Sequence, residues 1–288
     1  MIETIDNDFR RHNCPLCEST RISQLGGIPV VRHIGFSTHE IAPSRKSELW
    51  KCTDCGSWFK QNVVHPEQAA AMYSSGESGN RWSNENVEHI KCREVIETLR
   101  ACAKESSSAL DIGSSTGQLL DFLRAVGCDT AGVEYSSACR EILEKKGHRY
   151  FSAIDQVKGQ FDLITAFDLV EHLYDVPGFF RRCRELLSEN GTLVILTGDI
   201  ASISARLCRG RWWYLRYPEH VVFPSTRFFR FGTGNFVLRR KVRTYAARAY
   251  RESWYRVVRR AGPALVRGQY DGLPSIDPDH VLMVLGCE

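Results

Sequence analysis

The residues with the clearest chemical potential are Asp111 and Glu134, together with two glycines between them. Asp111 lies in the apolar run of ALDIGSSTG, which ends in a turn of small residues and predicts a buried strand followed by a helix. Gly113 and Gly117 lack the Cβ atom that would hinder a close approach or an unusual φ angle. Glu134 ends the next predicted strand, about 20 residues on, where a doubly wound sheet places an acid that binds ribose hydroxyls. These features predict a nucleoside site.

An acid directly before the turn favours a cationic ligand over a pyrophosphate. A dinucleotide-binding turn follows the pattern G-x-G-x-x-G and keeps acids away from the phosphates. S-adenosylmethionine (SAM) has no phosphate and carries an ammonium and a sulfonium group. Asp111 beside the methionine amine and Glu134 on the ribose would therefore complement its charge.

Four cysteines form two C-x-x-C pairs, CPLC with Cys14 and Cys17 and CTDC with Cys52 and Cys55. The two-residue spacer lets both sulfurs of a pair face one ion, and Gly56 fits the tight turn of such a knuckle. Four thiolates leave no open position for water, so the predicted zinc is structural. The alternative is two local disulfides or unrelated core cysteines.

Length and composition fit a cytoplasmic protein with one α/β domain and a small module. The chain has 288 residues, 43% of them hydrophobic, and we expect neither a membrane span nor a signal peptide. The net charge of +4 conceals an asymmetry, because residues 201–288 carry 16 Lys and Arg against 6 acids. A basic tail can contact RNA, an anionic membrane or a phosphorylated small molecule, or can be a solvated helix face.

Strands and helices alternate after residue 108, which predicts a parallel sheet covered on both faces. The predicted strands are 109–112, 130–134, 149–153, 161–167, 192–197 and 280–285, the last closing the sheet. The predicted helices are 86–104, 118–126, 137–146, 177–187 and a basic helix over 239–262, with a short helix starting at Pro66 and a turn at 189–191.

The segment around Asp111 resembles the first motif of class I SAM-dependent methyltransferases, commonly written D-x-G-x-G-x-G. Here it is DIGSSTG, so Gly113 and Gly117 match and Ser115 replaces the middle glycine. The resemblance implies a Rossmann-like fold with a mostly parallel seven-stranded sheet and helices on both faces. It also implies SAM as the cofactor, bound by the turn including Ser114.

The segment FDLITAFDLVEHLYDVP resembles the fourth strand of these enzymes and the loop that follows it. The resemblance implies that Asp168 lies beside the cofactor at the carboxyl end of its strand. The pair Glu171-His172 recurs in many small-molecule members of the group.

The whole chain resembles bacterial methyltransferases with an N-terminal zinc-ribbon-like module. The resulting interpretation assigns residues 1–75 to that module. It assigns residues 76–288 to a SAM-dependent methyltransferase domain, with a basic, aromatic insertion around residues 200–262.

Two histidines are candidates for the general base, because an alcohol or an acidic carbon must lose a proton when it is methylated and an imidazole is suited to take it. They are His172 and His220, for which hydrogen bonding to loop backbone is the alternative role. Aromatic residues beside His220 form either a lid over the acceptor or ordinary core; they are Trp212, Trp213, Tyr214 and Tyr217.

Three functions fit these patterns. The first is methylation of a small molecule such as a sugar nucleotide or a secondary-metabolite intermediate. The second is methylation of RNA, held by the zinc module and the basic C-terminal region. The third is a non-catalytic SAM-fold binding protein.

Overall fold

A computed structural model describes residues 3–29, 34–36, 39–75, 92–245 and 277–287. The described helices are Pro66–Ser75, Arg93–Cys102, Gln118–Ala125, Ser137–Lys145, Val176–Leu186, Ile203–Cys208 and Thr226–Phe231. The described strands are β1 (Glu3–Ile5), β2 (Ile22–Gly27), β3 (Ile34–Phe36), β4 (His39–Pro43), β5 (Glu48–Cys52), β6 (Trp58–Gln61), β7 (Ser108–Ile112), β8 (Asp129–Val133), β9 (Arg149–Phe151), β10 (Phe161–Phe167), β11 (Leu187–Gly198), β12 (Val222–Phe223), β13 (Phe236–Thr244) and β14 (His280–Cys287).

The central sheet has seven strands in the order β13-β14-β11-β10-β7-β8-β9. Strands β11, β10, β7, β8 and β9 pair in parallel, whereas β14 and β13 are antiparallel additions. The predicted fold class, a mostly parallel Rossmann-like sheet, is confirmed. The chain runs outward from β7 to β9 and then returns to β10, so the strand order reverses between β7 and β10. Ligands of open α/β sheets bind at the carboxyl ends of the strands at such a reversal.

The helix after β7 begins at Gln118, and its N-cap is Gly117, whose φ of 78° is left-handed. A Cβ atom at Gly117 would lie 2.6 Å from Cδ2 of Leu143 on the helix after β8. Glycine therefore lets the two helices pack together, while the buried Leu119, Leu120 and Leu123 hold the first helix against the sheet. This packing fixes the turn at the end of β7.

The cysteine-rich segment shares a sheet and a core with the rest of the chain. Strand β12 pairs with β6 in a four-stranded sheet ordered β12-β6-β5-β2, and a smaller sheet is ordered β1-β4-β3. Ser225 donates hydrogen bonds from its amide to Ser57 Oγ, at 3.0 Å, and from its hydroxyl to the Cys55 carbonyl. The boundary between residues 75 and 76 stays a prediction, because residues 76–91 lie outside the described ranges.

Three predicted elements need correction. Residues 239–244, predicted as the start of a basic helix, belong to strand β13. Strand β14 is buried along its whole length and pairs with β13 at the edge of the sheet. This pairing outweighs the helical spacing of the local sequence. Strand β14 accordingly lies inside the sheet instead of closing it. The predicted turn at 189–191 is an irregularity within β11, where the pairing with β10 shifts between Phe161–Leu187 and Leu163–Thr192. Residues 246–262 of the predicted basic helix and 86–91 of the helix before β7 lie outside the described ranges.

Candidate active site

Asp111 lies in β7 opposite Thr165 of β10 and Gly132 of β8. Its side chain is buried, and the Thr165 hydroxyl donates a hydrogen bond of 2.7 Å to Oδ1. Burial, and to a lesser extent the nearby charge of Glu134, raise the pKa of Asp111 to about 7, although the Thr165 hydrogen bond acts in the opposite direction. The acid is therefore poised to hold a proton until a cation arrives beside it.

Glu134 follows β8 and faces the turn after β7. Its Oε2 accepts a hydrogen bond of 2.7 Å from the Ser115 amide, and its Oε1 accepts one of 2.7 Å from the Ser136 amide. Burial raises its pKa. A carboxylate offers about four lone pairs, so two remain for a pair of hydroxyl donors. The structure thus brings Asp111 and Glu134 to neighbouring strand ends, as the sequence predicted.

The turn itself is conformationally strained. Ser115 has a φ of 46°, and Gly113 has a φ of 80°. A serine in the left-handed region costs about 1–2 kcal/mol, and such strain clusters at functional sites. The buried Ser114 turns its hydroxyl toward the Val133 carbonyl, 3.4 Å away. Gly113 packs close to Leu169, since a Cβ atom there would lie 3.2 Å from Leu169 Cδ1.

Asp168 occupies the corresponding position after β10. It has a φ of 46°, so a second strained non-glycine residue lies at this edge of the sheet. Its amide donates a hydrogen bond of 2.9 Å to the Leu196 carbonyl, and its Oδ1 is 3.7 Å from Nε2 of His280.

Glu171 and two histidines form a compact group directly beyond Asp168. One donor atom from each of Glu171, His172 and His220 lies within 4.8 Å of the others. Glu171 is fully buried and accepts hydrogen bonds from the Tyr214 hydroxyl and, at 2.9 Å, from the Thr197 hydroxyl. Burial, and then the charge of Asp168, raises its pKa to about 8. We call Glu171, His172 and His220 the inner cluster.

The two candidate base histidines are neighbours, with ring centroids 4.7 Å apart. His172 Nδ1 lies 2.7 Å from the Tyr73 hydroxyl and 3.2 Å from the Glu219 carbonyl. His220 Nδ1 lies 2.9 Å from the Tyr214 carbonyl. Burial lowers the pKa of His172 to about 4 and that of His220 well below its ordinary value. Both rings are thus neutral at physiological pH.

The four aromatic residues near His220 divide into two groups. Trp212 is completely buried and packs against Tyr214 and Phe223, so it is core. Tyr214 and Tyr217 also pack on His220, with ring centroids 4.3 and 4.9 Å away, and Trp213 stacks on His280 at 6.0 Å. Of the two alternatives, ordinary core therefore describes Trp212, whereas the other three rings line His220 and His280.

Sequence reasoning missed several polar residues of this region. Lys60 is buried, and its Nζ donates a hydrogen bond of 2.7 Å to the Tyr217 carbonyl. His280 Nδ1 is 3.0 Å from Asp279 Oδ1, and Asp279 Oδ2 accepts a hydrogen bond of 2.7 Å from the Trp213 indole. The sequence D-x-D-H over residues 277–280, which ends at the first residue of β14, was the available signal for the pair of Asp279 and His280.

The four predicted zinc ligands converge at one point. Their sulfur atoms lie within 4.8 Å of one another, with Cys14 and Cys55 3.7 Å apart and Cys17 and Cys52 3.6 Å apart. Sulfurs bound at about 2.3 Å to a tetrahedral zinc would be about 3.8 Å apart, so the arrangement fits that ion. All eleven cysteines are free thiols in the structure, and neither C-x-x-C pair forms a local disulfide there.

Two open cavities, of about 360 and 370 Å³, lie elsewhere. One borders Arg11 and Tyr174, and the other borders Arg124 and Arg149; neither is lined by Asp111 or Glu134. In the described ranges, no helix has the length and apolar character needed to cross a membrane.

Comparison with known proteins identifies the family. Residues 83–230, just over half of the chain, match the family model of a methyltransferase domain. The chain therefore belongs to this family, and its sheet is that of a class I SAM-dependent methyltransferase.

Individual relatives are more distant. The chain is 31% identical over 97 residues to the ubiquinone biosynthesis O-methyltransferase of Bradyrhizobium diazoefficiens, a match covering 31% of this chain and 38% of the relative. It is 26% identical over 139 residues to the enzyme of the same name from Methylococcus capsulatus, covering 42% of this chain and 58% of the relative. The matches thus span between about two fifths and three fifths of the length of these relatives.

A solved structure with the same fold is the complex between the Haloferax volcanii Trm112 methyltransferase activator and a proposed methyltransferase. One chain of it matches with a TM-score of 0.54 and 11% identity, covering 73% of this chain and 97% of that one. At this identity the likeness concerns the fold alone.

Proposed function

We propose that this protein transfers the methyl group of SAM to an oxygen atom of a small-molecule acceptor. One observation carries the proposal: the acids Asp111 and Glu134 lie at adjacent strand ends, and the inner cluster lies beyond Asp168 at the next strand end. A site for a cationic nucleoside and a site for a second reactant therefore share one edge of the sheet.

In this proposal the cofactor lies across the ends of β7 and β8. Glu134 accepts hydrogen bonds from both ribose hydroxyls, using the lone pairs that Ser115 and Ser136 leave available. Asp111 ionises as it meets the methionine amine, and Asp168 approaches the same ligand from β10. The turn from Gly113 to Gly117 supplies backbone contacts along the nucleoside.

Methyl transfer from a sulfonium is an in-line displacement, so positioning supplies most of the catalysis. The acceptor oxygen attacks the methyl carbon, S-adenosylhomocysteine leaves, and the hydroxyl proton passes to a ring nitrogen of His172 or His220. His172 and His220 are proposed to contact that hydroxyl. Support for an oxygen acceptor comes from the relatives, which are named as O-methyltransferases.

The alternatives have less support. An RNA acceptor would be held by many phosphate contacts, and binding would weaken steeply with salt. The inner cluster is instead enclosed by Tyr73, Tyr214 and the backbone of Glu219. A non-catalytic binding protein would not need a buried acid beside two histidines.

Titration calorimetry with SAM tests the proposal. We expect 1:1 binding by the wild type and at least tenfold weaker binding by Glu134→Ala, because each lost hydrogen bond between a hydroxyl and a carboxylate costs about 1.5–3 kcal/mol. Glu141→Ala is the matched control, since Glu141 is exposed on the helix that follows. Equal affinities of wild type and Glu134→Ala would remove Glu134 from the ribose.

We also propose that Cys14, Cys17, Cys52 and Cys55 hold one structural zinc ion. The closed set of four thiolates would fix the turns that carry β5 and β6. Because β6 pairs with β12, which lies just after His220, the ion would also stabilise one wall of the inner cluster.

A further inference from the structure

We infer that the inner cluster, Glu171, His172 and His220, is a second metal site, which binds a divalent first-row transition ion through one carboxylate and two imidazoles. The site is separate from the cysteine cluster. Its binding of metal stands independently of the proposed function, whereas its role in the reaction rests on that function.

The hydrogen bond of His220 prepares its ring as a ligand. The carbonyl oxygen of Tyr214 can only accept, so Nδ1 of His220 carries the hydrogen and Nε2 is left with the lone pair. Metal-bound histidines almost always donate their other N–H in this way, often to a backbone carbonyl.

His172 is positioned at Nδ1 by the Tyr73 hydroxyl and the Glu219 carbonyl. Its ring also makes a hydrogen bond with the Asp168 backbone. To bind the ion, the ring would exchange one of these partners for the metal.

Glu171 is held in a similar manner. The hydroxyls of Tyr214 and Thr197 each donate to one of its oxygens, which fixes the carboxylate in position. About two lone pairs remain on those oxygens. Ligating carboxylates are typically supported by such hydrogen bonds.

The charge of the region favours a cation. Three carboxylates, those of Asp168, Glu171 and Glu219, interact electrostatically with the inner cluster and its surroundings. The basic side chains that face the same region in the described ranges include Lys60 and His280. A buried carboxylate needs a proton, a partner or a metal ion. A divalent ion at the inner cluster would compensate two of these negative charges.

The donor set indicates the kind of metal. Two imidazoles with one carboxylate suit Mn²⁺, Fe²⁺, Co²⁺ or Zn²⁺ better than Ca²⁺ or Mg²⁺, which prefer oxygen ligands. With three protein ligands, the ion keeps open positions for water or for an acceptor oxygen. In the proposed function such an ion would bind the acceptor hydroxyl and lower its pKa, and the proton would pass to solvent water instead of to either neutral histidine.

Mn²⁺ is a suitable probe, because the hard ion does not compete for four thiolates. The full-length protein is treated with a mild chelator, elemental analysis verifies that zinc is retained, and free Mn²⁺ is followed by electron paramagnetic resonance during a titration. We expect one Mn²⁺ per chain, with affinity reduced at least tenfold in Glu171→Gln and in His220→Asn. The matched controls Glu67→Gln and His65→Asn, at exposed positions, should bind like the wild type.

A second measurement covers the case in which the variants fail to fold. Electron spin-echo spectra of Mn²⁺ bound to the wild type should show directly coordinated imidazole nitrogen. Stoichiometric Mn²⁺ without nitrogen coupling would overturn the inference, and so would folded variants that bind Mn²⁺ like the wild type. If the wild type binds SAM but no Mn²⁺, the metal site is refuted while the proposed methyl transfer stands.

Discussion

The substitution Asp111→Asn separates the role of this acid in cofactor binding from its effect on folding. The side chain is buried, and its pKa is raised from 3.8 to about 7, chiefly by burial. In the unfolded chain the acid ionises near pH 4, whereas in the ligand-free folded protein it keeps its proton to about pH 7. A group whose pKa is raised by folding stabilises the folded state at low pH. That contribution disappears as the pH rises through the folded pKa.

The size of the expected stability change follows from the pKa shift of Asp111. One pKa unit corresponds to about 1.4 kcal/mol, so the wild type should lose about 3 kcal/mol of stability through Asp111 between pH 5 and pH 8. Asparagine mimics the protonated acid and can still accept the Thr165 hydrogen bond. Between pH 5 and pH 8, the free energy of unfolding of the variant should therefore rise by about 3 kcal/mol relative to that of the wild type.

Urea unfolding of both proteins without SAM at pH 5 and pH 8 measures this difference. Asp129→Asn is the control, because Asp129 is exposed at the amino end of the neighbouring strand β8. Calorimetry should also show that SAM binding near pH 6.5 releases a proton from the wild type and that the variant binds SAM at least tenfold more weakly. A wild-type to variant stability difference that is the same at both pH values would refute the reasoning.

Three further substitutions test the turn and the cysteine cluster. Ser115→Gly should stabilise the protein by about 1 kcal/mol in urea unfolding, because glycine relieves the strain of a φ of 46°; a less stable variant would contradict this. Gly117→Ala should lower the free energy of unfolding by about 3 kcal/mol, because the φ is left-handed and the added Cβ atom would clash with Leu143. Gly147 also has a left-handed φ but has open space around it, so Gly147→Ala should cost only about 1 kcal/mol. Equal costs would show that the packing against Leu143 is unimportant. Changing Cys14 and Cys17 together to Ser should release one zinc per chain, and elemental analysis that finds no zinc in the wild type would disprove the site.

Much of the central sheet could be predicted because its strands are apolar runs between small-residue turns. Strand β10 was predicted with its observed bounds, and each of the other parallel strands after residue 108 overlaps a predicted strand, since strands buried on both faces carry that pattern locally. Strand β13 was missed because its conformation is imposed by pairing with β14, a contact between residues far apart in sequence. Local periodicity contains no information about such a partner.

The candidate site was predictable where its residues follow strands and unpredictable where tertiary packing assembles it. Asp111, Glu134 and Asp168 could be placed because the carboxyl ends of parallel strands meet at one edge. Lys60 has no distinguishing local pattern, and His280 has only the preceding acids as a signal, so the packing of β6 and β14 is what brings both to this region. The aromatic run could not be divided from sequence either, because Trp212 and Tyr214 are both buried and pack on each other, while Tyr214 also packs on His220.

A structure of the protein with bound S-adenosylhomocysteine tests the central claim most directly. The account predicts both ribose hydroxyls within hydrogen-bond distance of Glu134, the amino group of the ligand beside Asp111, and its sulfur facing the inner cluster. A ligand bound elsewhere, or bound here with either acid turned away from it, would contradict the account.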